Sequence, residues 1–191
     1  MNRKLLVLDL DETLIFSCEK ALERPADFII DDEYYIYRRP HLDEFLSYVF
    51  QNFLISVWTS SSVSYASAIL QVILTGDQHL EFLWDRERCT PRYNHERDEH
   101  YWVKNLDKLK KKGYPLESVI MIDDSPEKIE KNYGNHIRVS EYTGQEDDND
   151  LLFLMHYLDA LKDEKNIRLI EKRGWKSRYF KAPGPADSML L

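Results

Sequence analysis

Three short apolar runs, each ending abruptly in acidic or hydroxyl side chains, constrain the fold more than any other feature of this sequence. They are KLLVL at 4–8, LISVW at 54–58 and VIMI at 119–122. Apolar runs this short, bounded by polar residues, are typical of strands that are buried on both faces of a parallel sheet. Because candidate helices separate them, the sequence predicts an α/β fold: a single Rossmann-like domain with a central parallel sheet flanked by helices.

The segments between and after these runs predict helices and two small additions. Apolar spacing, prolines and glycines predict helices at 40–52, 63–74, 101–112 and 151–162. The stretch 27–37, rich in Ile and Tyr, predicts a β-hairpin flap, and 80–94 indicates a small β insertion or a loop. No stretch is long enough for a large cap. We expect the domain to cover residues 1–173, followed by a C-terminal tail at 174–191 without helical or strand periodicity.

Composition narrows the class of protein further. A chain of 191 residues with 43% hydrophobic residues can bury a core without disulfides. The net charge of -8 argues against broad nucleic-acid binding, which needs a basic surface. The apolar runs are too short to cross a bilayer, and two cysteines make no disulfide framework. We therefore expect an intracellular, soluble monomer, cytoplasmic or nuclear, without a membrane or nucleic-acid partner.

Reactive side chains follow each of the three predicted strands. They are Asp9 and Asp11 after the first, Thr59 and Ser60 after the second, and Asp123 and Asp124 at the end of the third. Because ligands of open parallel sheets bind beyond the carboxyl ends of the strands, these groups are expected to meet in one crevice. Four carboxylates in one place repel each other unless a cation or protons compensate. Hard oxygen ligands suit Mg²⁺, which often works beside a phosphate.

Positive and hydroxyl groups complete the predicted site. Lys104, at the start of the helix predicted at 101–112, can supply a positive charge. Thr59 and the serines after it can offer hydroxyl and backbone N–H donors to an anion at a helix N-terminus. Carboxylates, Mg²⁺ and an anion site together indicate phosphoryl transfer through an aspartyl-phosphate.

The order of these motifs resembles that of the haloacid dehalogenase superfamily of phosphohydrolases. Within it, the chain is similar to the branch that contains the small phosphatases of the RNA polymerase II C-terminal domain, the NLI-interacting-factor-like domain. The resemblance runs from about Lys4 to about Leu161. It is carried by DLDETL at 9–14, RPHLDEFL at 39–46, WTS at 58–60, YWVKNL at 101–106 and IDDSP at 122–126.

The resemblance implies the catalytic and metal-binding roles. Asp9 would be the nucleophile and a metal ligand. Asp11 would be the general acid and then the general base, with its backbone carbonyl on the metal. Asp124 would complete the Mg²⁺ site.

The same resemblance implies which residues hold the substrate. Thr59 and Lys104 would hold the transferring phosphoryl oxygens, and Asp123 would orient Lys104 and a metal-bound water. The remaining substrate-binding candidates are Thr13, in the turn that carries both catalytic acids, Ser60, and Arg39, which would shape or contact the substrate.

The implied function is a Mg²⁺-dependent phosphomonoester hydrolase that acts on phosphoserine or phosphothreonine in proteins or peptides. A flap without a large cap leaves the site open to macromolecules. Two alternatives stay open: a phosphatase of small metabolites or nucleic-acid ends, and a non-catalytic phosphoprotein-binding module, which the intact catalytic positions disfavour. The flap departs from the family pattern, because it is shorter and carries acidic residues at its expected turn, 31–33.

Overall fold

The computed structural model describes residues 3–96 and 98–181. In chain order its strands are β1 (Leu5–Leu8), β2 (Ile15–Cys18), β3 (Phe28–Ile30), β4 (Tyr34–Arg38), β5 (Leu54–Trp58), β6 (Leu83–Trp84), β7 (Thr90–Asn94), β8 (Glu99–Val103), β9 (Val119–Asp123) and β10 (His136–Arg138). Its α-helices are α1 (Leu42–Asn52), α2 (Val63–Ile73), α3 (Asp107–Lys110), α4 (Asp150–Leu161) and α5 (Trp175–Lys181).

The central sheet is parallel, with the strand order β10-β9-β1-β5-β6. Leu8 in β1 lies opposite Val57 in β5 and Ile122 in β9, so the residues that follow these three strands emerge at one edge. The predicted α/β fold and its three strands are confirmed. The outer strand β10, which has three residues, was not predicted. The two-residue β6 lies in 80–94, where a small β insertion or a loop was expected, but its place in the central sheet was not predicted.

Both faces of the sheet are covered, which explains the uninterrupted apolar runs. Leu6 and Leu8 belong to a core cluster that includes side chains of α1, α2 and α4. Leu5 and Val7 point to the opposite face, where they share a second cluster with Leu106 of the segment before α3 and other apolar side chains. The helices predicted at 40–52, 63–74 and 151–162 are confirmed as α1, α2 and α4.

The predicted flap is present as a three-stranded antiparallel sheet with the order β2-β4-β3. The turn between β3 and β4 carries two acidic residues in the left-handed region, Asp31 at φ 54° and Asp32 at φ 55°. Aspartate tolerates this region better than most residues do. Ile30 and Ile36 point inwards and are buried in the main core, so the flap is packed onto the domain.

The helix predicted at 101–112 is wrong for its first half. Residues 99–103 form β8, which pairs with β7 as an antiparallel hairpin, and the α-helix is confined to Asp107–Lys110. The sequence Tyr-Trp-Val at 101–103 explains the difference, because aromatic and β-branched residues favour strands. Lys104 therefore follows a strand, where a helix start was expected. The region 80–94 contains β6 and the first strand of this hairpin.

The C-terminal region contains more structure than its sequence indicates. Residues 175–181 form α5, so the expectation of no regular structure after residue 174 is wrong for this part. The Trp175 side chain is buried, stacks on Tyr157 and donates a hydrogen bond from Nε1 to the Arg138 carbonyl at 2.6 Å. The division of the chain at residue 173 stays a prediction, and 182–191 lie outside the described residues. Among the described helices, none has the length and apolar character needed to cross a membrane.

Candidate active site

The strand ends bring the predicted acidic and hydroxyl residues to one edge of the sheet. Asp9 follows β1 directly, and its amide donates to the Ile122 carbonyl of the neighbouring β9 at 3.0 Å. Asp123 ends β9, and Thr59 follows β5, where its amide donates to the Trp84 carbonyl at 2.9 Å. Asp9, Thr59 and Asp123 are all buried. The parallel register thus places groups that are far apart in sequence around a common point.

The centre of the site is an ionic group of three buried side chains, Asp9, Lys104 and Asp123, called here the inner triad. Lys104 Nζ lies 2.7 Å from Asp9 Oδ1 and 2.7 Å from Asp123 Oδ2. None of the three residues exposes more than 1% of its surface. Charges this deeply buried persist only when they are paired, so each member of the triad depends on the others.

Burial and charge act against each other within the triad. Burial alone would raise the pKa of Asp9, but the ammonium groups of Lys104 and Lys128 outweigh it and hold that pKa below its usual value. Burial also opposes the charge on Lys104, but the Asp123 and Asp9 carboxylates raise its pKa. Asp123 has a raised pKa because of its burial and the nearby Asp9 charge. The two lysines therefore favour the ionised form of Asp9.

A third carboxylate, Asp124, joins Asp9 and Asp123. The ligand oxygens of these three residues lie within 4.8 Å of one another. Asp124 accepts a hydrogen bond from Ser125 Oγ at 2.7 Å and from Thr13 Oγ1 at 3.5 Å. Clustered carboxylate oxygens are the donor set that Mg²⁺ prefers, so the residues present fit this ion.

The Asp11 carboxylate turns away from this cluster towards the start of α2. It accepts hydrogen bonds from Tyr65 OH at 2.6 Å and from Ser61 Oγ at 2.8 Å. Burial raises its pKa and the Asp9 charge adds to this shift, while the two hydroxyl donors oppose it. Asp11, Ser61 and Tyr65 are called here the outer group. Two aspartates separated by a single residue thus have pKa values shifted in opposite directions.

The loop after β5 places its polar groups through local hydrogen bonds. Thr59 Oγ1 accepts from the Ser61 amide at 3.0 Å, and the Ser60 carbonyl accepts from Arg86 Nε at 2.6 Å. Ser62 caps α2 by accepting from the Tyr65 amide. These contacts fix the segment that leads from Thr59 into the first turn of α2, which carries Tyr65.

Two of the predicted substrate-binding residues are buried behind the site. Thr13 is fully buried, and Arg39 exposes 1% of its surface. The Arg39 guanidinium is held by both Asp148 carboxylate oxygens at 2.8 Å and donates to the Thr13 and Ser140 carbonyls. In this position Arg39 can shape the loop that carries Asp11, but its guanidinium is enclosed and does not reach a substrate directly.

Sequence reasoning missed two residues that complete the site, Tyr65 of the outer group and Lys128. It expected Ser61 to be a donor to an anion, whereas Ser61 Oγ donates to Asp11. Lys128 Nζ lies 3.5 Å from Asp9 Oδ2 and 4.0 Å from Asp124 Oδ1. The only sequence signal was proximity, because Lys128 lies four residues after Asp124 and Tyr65 in the first turn of a predicted helix. Neither position identifies which way the side chain points.

A third acidic residue of the loop after β1, Glu12, also lies near the site. Glu12 has φ 57°, in the left-handed region that non-glycine residues rarely adopt. Burial raises its pKa to about 7, and Asp11 and Asp124 add to the shift. The loop after β1 therefore concentrates negative charge around the cluster of carboxylates.

Comparisons with known proteins identify the family of the chain. Residues 4–168 match the family model described as NLI interacting factor-like phosphatase. A Dictyostelium discoideum protein named "Probable C-terminal domain small phosphatase" is 35% identical over 174 residues, covering 87% of this chain and 53% of that protein. The Danio rerio "CTD nuclear envelope phosphatase 1B" is 32% identical over 187 residues, covering 91% and 73%. The chain thus spans about half the length of the first relative.

The fold is also found among solved structures. The fission yeast RNA polymerase II CTD phosphatase Fcp1, solved with bound beryllium fluoride, superposes with a TM-score of 0.58 at 19% identity. The match covers 92% of this chain and 52% of that one. With the family model matching most of the chain, the chain belongs to the NLI interacting factor-like phosphatases.

Proposed function

We propose that the protein is a Mg²⁺-dependent phosphomonoester hydrolase that acts through an aspartyl-phosphate. The observation that carries this proposal is the contrast between Asp9 and Asp11. Lysines hold the pKa of Asp9 low, whereas burial raises that of Asp11. A pair of carboxylates whose surroundings shift their pKa values apart provides an ionised nucleophile and a protonated acid at the same pH.

In the proposed first step, an Asp9 carboxylate oxygen attacks phosphorus and the bond from phosphorus to the leaving oxygen breaks. Asp11 gives its proton to that leaving oxygen, so the alcohol departs neutral. In the second step, Asp11 takes a proton from water, the water oxygen attacks phosphorus, and the Asp9–phosphate bond breaks. Inorganic phosphate leaves, and Asp11 is protonated again for the next cycle.

The other residues would bind Mg²⁺, bind the phosphoryl oxygens or position the groups that do so. Asp9, Asp124 and the Asp11 backbone carbonyl would hold Mg²⁺, which when bound stabilises negative charge on the phosphoryl oxygens. Lys104 and Thr59 would hold those oxygens, and Asp123 would keep Lys104 in place. Thr13 and Ser60 would support the loops around the phosphate, and Arg39 would act on the substrate only through the Thr13 loop.

The proposed substrate is phosphoserine or phosphothreonine in a protein or peptide. Relatives are named as phosphatases of a C-terminal domain. The described additions to the sheet near the site are the flap and the β7–β8 hairpin, so an extended chain could lie across the crevice. The net charge of -8 gives a polyanionic oligonucleotide little long-range attraction. An intracellular monomer, in cytoplasm or nucleus, is part of the same proposal.

Two measurements test the proposal in sequence. Hydrolysis of an aryl phosphate is expected to require Mg²⁺ and to stop when a chelator is added; turnover that persists in chelator contradicts the metal requirement. The values of kcat/KM for matched phosphopeptides and terminally phosphorylated oligonucleotides at physiological ionic strength then compare substrate classes. A preference for the oligonucleotide above about tenfold, or ~1.4 kcal/mol, favours the nucleic-acid-end alternative.

A further inference from the structure

Both carboxylate oxygens of Asp9 face an ammonium group, but the two lysines reach it from different sides. Lys104 lies 2.7 Å from Oδ1 and is fully buried. Lys128 lies 3.5 Å from Oδ2 on the solvent side, and 18% of its side chain is exposed. Lys104 is therefore an enclosed part of the inner triad, whereas the Lys128 side chain is partly open to solvent.

Lys128 faces the same oxygens that a divalent cation would use. Its Nζ lies 3.5 Å from Asp9 Oδ2 and 4.0 Å from Asp124 Oδ1, and both residues belong to the cluster that fits Mg²⁺. A cation bound between these oxygens would be close to the ammonium group. Two positive charges at such a distance repel each other, and the repulsion is stronger at a partly buried site than in water.

We propose that Lys128 is an internal competitor cation: its ammonium weakens divalent-ion binding until a phosphate group in the site gives that ammonium another partner. The inference rests on the proposed function, since it assumes that Asp9 and Asp124 bind Mg²⁺. Its physical basis is the balance of three clustered carboxylates against two lysines. An arriving phosphate adds negative charge next to Lys128, so the side chain can turn towards it and leave Asp9 and Asp124 to the metal.

The consequence is coupling between two ligands. If phosphate relieves the competition, phosphate strengthens Mg²⁺ binding, and by linkage Mg²⁺ strengthens phosphate binding by the same factor. The site would then load metal and phosphate together, and the free enzyme would hold Mg²⁺ weakly. Direct contact between metal and phosphate also gives coupling, so the contribution of Lys128 has to be isolated by substitution.

The test is calorimetric titration of Mg²⁺ alone, and of Mg²⁺ in saturating inorganic phosphate, into wild type, Lys128→Gln, Lys128→Arg and Lys131→Gln. Lys131 is an exposed lysine three residues further along and serves as the matched control. Without phosphate, Lys128→Gln is expected to bind Mg²⁺ about tenfold more tightly than wild type, because a positive charge has been removed beside the ligand oxygens. Lys131→Gln is expected to match wild type, and Lys128→Arg to stay within about threefold of it because the charge is kept.

Phosphate provides the second readout. The difference between wild type and Lys128→Gln is expected to shrink when phosphate is bound, so the coupling factor is smaller in the variant. Equal or weaker Mg²⁺ binding by Lys128→Gln overturns the inference while leaving the proposed function intact. Equal tightening in the Gln and Arg variants also overturns it, because charge would then not be the cause. An absence of Mg²⁺ binding in every variant, with and without phosphate, overturns both the metal site and this inference.

Discussion

The inner triad and the outer group each contain an aspartate, but they give it opposite surroundings. In the inner triad, Asp9 is buried against a lysine at 2.7 Å, and its side-chain partners are the charged ammonium groups of Lys104 and Lys128. In the outer group, Asp11 is only partly buried, and its contacts are the neutral hydroxyls of Ser61 and Tyr65. The chain separates these two carboxylates by one residue, so their different chemistry comes from their surroundings.

This difference predicts which substitutions should lower the free energy of unfolding and which should lower only turnover. Removing the Lys104 charge from the inner triad leaves two buried carboxylates without their shared partner, and this costs folding free energy. Removing the charge of Asp11 relieves a carboxylate whose pKa burial already raises. Substitutions in the two regions should therefore differ in whether they lower stability, turnover or both.

Lys104→Met is expected to have the largest effect, because it should lower both stability and turnover. It leaves Asp9 and Asp123 facing each other in a buried site, which should lower the free energy of unfolding by about 3–5 kcal/mol. Turnover of an aryl phosphate should be lost as well. Chemical denaturation and steady-state kinetics measure the two effects.

A double variant sharpens this prediction. Lys104→Met combined with Asp123→Asn removes one of the opposed carboxylates, so part of the lost stability should return while turnover stays absent. A single Lys104→Met variant as stable as wild type would show that the triad does not act as an ionic unit.

Asp9→Asn is expected to abolish turnover with little change in stability. An amide cannot attack phosphorus, so the rate should fall by at least about 10⁴-fold. Lys104 keeps Asp123 as a partner, and repulsion among the carboxylates decreases, so the free energy of unfolding should change by about 1 kcal/mol or less, well below the effect of Lys104→Met. Robust activity in this variant would contradict the nucleophile assignment.

The sequence was sufficient for the sheet and for the acids at its edge, for a physical reason. Strands buried on both faces are short apolar runs, and the residues that follow them must emerge at the same edge. Asp9, Thr59 and Asp123 were placed together on this basis. The β3–β4 hairpin of the flap was also predictable, because residues 27–37 are rich in Ile and Tyr, whereas β2, which pairs with β4, was not predicted.

What the sequence did not reveal depends on short segments and on side-chain direction. The run at 101–103 is too short for its period to distinguish a strand from a helix, so Lys104 was assigned to the wrong element. The three residues of β10 and the single buried Trp175 gave no periodic signal. Tyr65 and Lys128 reach the site only because α2 and the loop after β9 pack where they do.

Asp11→Asn is expected to slow both steps by about 10²- to 10⁴-fold without destabilising the fold, because one group acts as acid and then as base. With a good leaving group the first step needs less acid assistance, so the phosphoenzyme should accumulate more than in wild type. Rapid-quench measurements across a series of leaving groups test this. An absence of any phosphoenzyme across the series would indicate direct attack by water.

Tyr65→Phe is expected to have the smallest effect, a loss of about tenfold in kcat/KM, in line with removing one hydrogen bond to a charged group. The lost hydroxyl donor favoured the ionised form of Asp11, so the pKa of Asp11 should rise. Because Asp11 acts as an acid in the step that kcat/KM reports, the alkaline limb of the pH profile of kcat/KM should move to higher pH. Without this hydrogen bond the Asp11 carboxyl group would be less well positioned to protonate the leaving oxygen. The rate should therefore depend more steeply on the pKa of the leaving group. Tyr34→Phe is the matched control, since its ring packs edge-on against Tyr65 at 5.8 Å between centroids. Equal effects of the two substitutions would show that the loss does not depend on the hydrogen bond from Tyr65 to Asp11.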